Sequence, residues 1–130
     1  MALMKFREAN QVKWNGSRPG HDGTQKLAQA SADAATVPIY TVLAGETLYL
    51  CSVTMGVLTD VAGEFHTIIR NDAAAAQFFP TMGIRAAGSA PCHYVCTFWP
   101  PAELIEDWDV IVYSNTAGLT VYGSIFGWIE

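Results

Sequence analysis

Few side chains in this chain are of a type and spacing that could do chemistry. The candidate metal ligands are His21, His66, His93, Cys92 and Cys96. Cys92 and His93 are neighbours, so on a strand they point to opposite faces. Pro91 sets Cys92 at or before the start of its strand, and no second cysteine pair completes a structural zinc site. Glu64 and His66 share a strand face, and His93 could join them from a neighbouring strand, as in a small cupin-like metalloprotein. The competing reading is a solvent-facing pair on an antiparallel strand. Serine, histidine and aspartate are all present, but no Gly-x-Ser-x-Gly elbow exposes a nucleophile. No glycine loop has phosphate-cradling spacing ahead of a helix. The acidic group Glu103, Glu106, Asp107 and Asp109 lacks EF-hand spacing and reads as a solvated loop. Trp99, Trp108, Trp128, Phe78, Phe79 and Phe126 could form a sugar-binding platform, though at this spacing such rings more often pack in a core or subunit interface. The chain is therefore expected to be no enzyme, with no metal and no cofactor.

Bulk composition narrows the partners. Hydrophobic residues make up 51% of the 130 residues and charged residues only 15%, enough for one domain with a real core. The net charge of −5 argues against a nucleic-acid binder, and no apolar run approaches the roughly 20 residues of a membrane span. Charge is unevenly placed. Residues 1–36 carry five Lys and Arg against three acids, whereas residues 37–130 carry two against nine. Met1 to Asn10 lacks an apolar run of signal-peptide length, so Cys51, Cys92 and Cys96 are expected as free thiols in a reducing compartment.

Residues 1–36 are expected to form an extended N-terminal arm. Their turn-rich stretch from Asn15 to Gly23 has no sustained period, and Gln25 to Ala35 could make a short helix. Phe6 and Trp14 are the large anchors of this arm, with Arg7, Lys13 and Arg18 as its cations.

From Val37 the pattern turns to β. Val37 to Leu43 is a β-branched and aromatic run ended by Ala44-Gly45. Thr47 to Met55 alternates, and the bulkier set Tyr49, Cys51, Val53 and Met55 is assigned to the core. Phe65 to Arg70 is another short strand. Ala73 to Ala76 reads as a loop or one helical turn, and Gln77 to Phe79 as an edge segment stopped by Pro80. His93 to Trp99 is a strand stopped by Pro100-Pro101. Asp109 to Ser114 and Leu119 to Ile129 are expected to form a hairpin, with Gly123 and Gly127 marking a bulge or close packing. Six or seven short strands, and no helix long enough to cross over, predict an all-β antiparallel sandwich over residues 37–130. In the last strand Tyr122, Phe126 and Trp128 share a face, which predicts an oligomer interface.

The segments Pro100 to Ile105, Asp109 to Ser114 and Leu119 to Trp128, with Val37 to Leu50 earlier, carry a resemblance. Together they resemble small jelly-roll virion proteins of tailed bacteriophages, of the head decoration (cement) type. The resemblance implies a jelly-roll-like sandwich and a homotrimer on the capsid exterior, assembled in the host cytoplasm. Its partner would be the major capsid protein; the arm carries no motif of the family, and Phe6, Arg7, Lys13, Trp14 and Arg18 are expected to face the capsid on the strength of their residue types. A tail or fibre component that binds a receptor or carbohydrate is the alternative.

Overall fold

A computed structural model describes residues 5–6, 13–15, 18–20, 24–59, 61–71, 77–85 and 92–130. Within them lie β1 (Lys5–Phe6), β2 (Lys13–Asn15), β3 (Arg18–Gly20), β4 (Thr24–Asp33), β5 (Thr36–Thr41) and β6 (Leu48–Val57). They are followed by β7 (Gly63–Arg70), β8 (Gln77–Arg85), β9 (Cys92–Leu104), β10 (Asp109–Ser114) and β11 (Thr120–Ile129).

Two antiparallel sheets make a sandwich. One has the order β1-β9-β6-β11-β4 and the other β5-β10-β7-β8. The pairing is nested: β4 with β11, β5 with β10, β6 with β9 and β7 with β8. A long hairpin rolled up on itself gives this arrangement, which is the jelly roll expected from the sequence. No helix occurs among the described residues, and none there is long and apolar enough to cross a membrane.

The rolled topology corrects one expectation directly. β10 and β11 are not a hairpin; the turn between them crosses from one sheet to the other, because β11 completes its ladder with β4 and β6. Asp33 ties down that crossing, accepting from the Gly118 N–H at 2.8 Å and the Thr120 hydroxyl at 3.3 Å.

The expected helix over Gln25 to Ala35 is instead the strand β4, paired along ten residues with β11. Ala28, Ala30 and Ala32 turn inward at alternate positions, and the ladder outweighs the helical preference of alanine and glutamine. β4, which lies before residue 37, is therefore part of the five-stranded sheet. β1 also pairs with β9, setting Lys5 opposite Glu103 and Phe6 opposite Ala102.

The face assignment of β6 holds over only half of the strand. Val53 and Met55 are in the core, but so are Leu48 and Leu50, while Tyr49 is not part of that cluster. The register slips between Leu50 and Ser52, leaving Cys51 at a bulge that inverts the alternation. Pro80 and Pro100-Pro101 do not end their strands. β8 runs through Pro80 as the outermost strand of its sheet, and β9 runs through both prolines where its ladder skips from Thr97 to Ala102. Ala73 to Ala76 lies outside the described residues.

The core joins Leu50, Val53 and Met55 of β6 to Phe65 and Ile69 of β7, Val110 and Val112 of β10, and Val121 and Ile125 of β11. Each such side chain, fully buried, contributes roughly 1.5–3 kcal/mol. The nested strands β4 and β11 therefore bring polar, outward side chains from β4, β6, β9 and β11 onto one continuous face.

Candidate functional site

That outer face is set by three rows of cross-strand neighbours. Along the first, Ser31, Tyr122, Gly56 and His93 stand side by side. The second holds Gln29, Ser124, Thr54 and Val95, and the third Leu27, Phe126, Ser52 and Thr97. None of these twelve positions carries Asp, Glu, Lys or Arg. An exposed sheet face normally carries such charges, so their absence marks a surface shaped for contact. Tyr122 is 49% and Phe126 40% exposed. Between them lie two open grooves, of about 600 and about 370 Å³, which share Gln29, Thr54 and Ser124.

The predicted interface residues do not stay together. Tyr122 and Phe126 project from this face, but Trp128 is only 3% exposed. Its ring stacks on that of Tyr49, its cross-strand partner in β6, at 5.4 Å between centroids. This correction removes Trp128 from any surface stripe. As site residues Gln29, Ser52 and Thr54 were missed; the available signals were the period-2 alternation of small and polar residues in Gln25 to Asp33 for Gln29, and that of Thr47 to Met55 for Ser52 and Thr54.

Of the predicted capsid-facing residues, Lys13, Trp14 and Arg18 fall within one hairpin, β2–β3, that belongs to neither large sheet. Its register sets Trp14 opposite Pro19 and Arg18 opposite Asn15. Phe6 lies in β1, and Arg7 lies outside the described residues.

The cupin-like constellation does not assemble. His66 faces outward on the four-stranded sheet, its ring 4.4 Å from that of Tyr113 and nearly parallel to it. His93 lies on the outer face of the other sheet, with the core between them. Burial lowers the His66 pKa, partly offset by the nearby Glu64 carboxylate. Among the described residues, no group of three or more His, Cys, Asp or Glu is placed to hold a metal. His21 lies outside the described residues. Cys51 and Cys96 are free thiols, and burial pushes the Cys51 thiol up to about 11, far from a reactive thiolate at neutral pH.

The four-stranded sheet presents a different outer surface. Ile68 and Ile111, neighbours on β7 and β10, are 7% and 2% exposed. Beside them the Arg70 guanidinium donates to both Asp109 carboxylate oxygens, at 2.9 Å from Nε and 2.5 Å from Nη2. That bidentate bond raises the arginine pKa further.

These features define the chain as a small antiparallel jelly-roll protein with an open, uncharged sheet face. No protein-family model matches it, and neither does any curated protein.

Proposed function

We propose that this chain is a structural virion protein of a tailed bacteriophage, a head decoration protein that binds and stabilises the assembled capsid as an oligomer. The observation that carries the reading is the β2–β3 hairpin. It holds Lys13, Trp14 and Arg18 in a two-stranded unit outside both sheets of a jelly roll. A Trp next to Lys in sequence, with an Arg on the paired strand, is the composition of an adhesive anchor, since Trp and Arg dominate the energetics of protein contacts. The polarity agrees: the cations belong to the N-terminal segment, while the remaining chain is acidic.

The mechanism is mass action. A protein that binds only the assembled shell stabilises it by the free energy of binding. An oligomer presents several hairpins to neighbouring capsid subunits, and the raised effective concentration makes attachment tight without one strong contact.

The test is co-sedimentation with expanded, undecorated capsids of the source phage. The intact chain should bind saturably, and a Lys13→Ala, Trp14→Ala, Arg18→Ala variant should lose binding while keeping its oligomeric mass and β circular dichroism. Substitution is a cleaner perturbation than removing the arm, because Lys5 and Phe6 contribute a strand to the five-stranded sheet. A well-folded wild-type chain that leaves the capsids bare would overturn the reading.

A further inference from the structure

We infer that the open face of the five-stranded sheet is a binding site for a neutral oligosaccharide, laid across Ser124 between the rings of Tyr122 and Phe126. The inference is independent of capsid attachment, which the β2–β3 hairpin serves.

Three observations carry it. The first is charge. Twelve consecutive cross-strand positions on four strands lack any carboxylate, ammonium or guanidinium group. Apart from the His93 imidazole at one corner, such a face offers no group to pair with a charged ligand and would desolvate one at a cost. A ligand whose polar groups are all hydroxyls or amides matches it.

The second is the distribution of polarity. At the centre sit Ser124 and Thr54, with the rings of Tyr122 and Phe126 on either side of Ser124 along β11; the rim is mixed, with Ser31, Gln29, His93, Ser52 and Thr97 alongside Leu27 and Val95. A subunit interface has an apolar centre, which this face lacks. Short hydroxyl and amide side chains set between aromatic rings suit a sugar, whose C–H faces are apolar and whose edges carry hydroxyls.

The third is shape. Tyr122 and Phe126 are four residues apart on one strand, so their Cα atoms are about 13 Å apart. The two grooves between and beside these rings meet at Ser124 and have volumes in the range of small-molecule sites. A linear ligand of several sugar units can follow them, stacking on the rings and exchanging hydrogen bonds with Ser124, Thr54 and Gln29. Because the grooves are open, binding of one chain will be weak, and repeated copies on a virion would supply avidity.

The experiment is retention of the full chain on immobilised malto-, cello- and N-acetylchitooligosaccharides, with sialylated and uronate-containing oligosaccharides as charged controls. The expected result is retention on at least one neutral series and none on the charged controls. Tyr122→Ala and Phe126→Ala should each weaken it about tenfold. Ser124→Arg, which fills the floor with a charge and leaves both rings, should abolish it. Circular dichroism and light scattering on each variant establish that fold and mass are unchanged. No retention on any neutral series, equal retention on the charged ones, or indifference to all three substitutions would overturn the inference. So would a drop from oligomer to monomer in the ring variants, which would assign the face to a second copy of the chain.

Discussion

Gly127→Ala tests the register on which this face depends. In β11 Gly127 lies at the point where the ladder with β6 slips, between Phe126 and Gly127. A Cβ added there would sit 2.3 Å from the Tyr49 carbonyl oxygen, 3.1 Å from its carbon and 3.2 Å from the Leu50 Cα. All three atoms are backbone, so no side-chain rotation relieves the clash. Reaching an ordinary contact of 3.4 Å to that oxygen requires the strands to part by about 1 Å. Overpacking of this kind costs about 1–3 kcal/mol, and weakening one ladder hydrogen bond adds about 1 kcal/mol. The stiffer unfolded chain returns about 0.4–1 kcal/mol. The net expectation is a loss of about 2–3 kcal/mol, read as a lower urea midpoint at unchanged m. Gly45→Ala is the internal control. Gly45 has φ of +79° but nothing within 4 Å of an added Cβ, so its cost is conformational alone, about 1 kcal/mol. If Gly127→Ala proved no more damaging than Gly45→Ala, the close approach of β11 to β6 would be refuted, and with it the alignment of Phe126 with Ser52.

Further perturbations probe the rest of the fold. Arg70→Met strands the largely buried Asp109 carboxylate, so urea unfolding should show a loss of about 2 kcal/mol, with Arg70→Met, Asp109→Asn recovering part of it. Asp33→Ala removes two hydrogen bonds that hold the sheet-crossing turn, at about 1 kcal/mol because the site is exposed; amide hydrogen exchange should rise at Gly118, whose N–H Asp33 accepts. The His66 pKa is lowered on folding, so the folded chain binds fewer protons than the unfolded one just below about pH 6.5. Stability should therefore fall as pH drops through about 6.5, and His66→Gln should remove that part of the decline. An identical pH profile in the variant would show that His66 is not sheltered by Tyr113.

Particular residues show what could be read from the sequence. β10 and β11 are rich in Val, Ile and Tyr and bounded by turn residues, so their existence is plain from type and period. β4 is not, because Ala, Gln and Ser favour a helix when considered alone, and only the ladder offered by β11 makes the strand. The bulge at Cys51 leaves no local mark, yet it moves Leu48 and Leu50 into the core and Tyr49 out of it. Prolines read as strand stops because they lack a donor, but a position on an outermost strand or within a ladder skip needs no donor. The exposed rings Tyr122 and Phe126 were legible from alternation. The burial of Trp128 was not, since it depends on a neighbour 79 positions earlier in the chain, Tyr49.

The two outer faces differ in how their side chains are satisfied. A jelly roll buries the inner faces of both sheets and leaves each outer face to the side chains alone. On β7 and β10 of the four-stranded sheet the described outward side chains satisfy one another: Arg70 with Asp109, His66 with Tyr113, and Ile68 beside Ile111, both nearly inaccessible. A surface so paired gains little by meeting a ligand, because each contact it could offer must first be broken. The five-stranded sheet has no such internal pairing along its three central rows, and it keeps Tyr122 and Phe126 exposed at a standing hydrophobic cost of roughly 1–2 kcal/mol each. A single Lys or Glu at Ser124 would remove much of the association hazard of that face without touching the core. Its absence is consistent with a face kept open for an uncharged partner, which is why the Ser124→Arg variant discriminates best between recognition and mere tolerance of exposed rings.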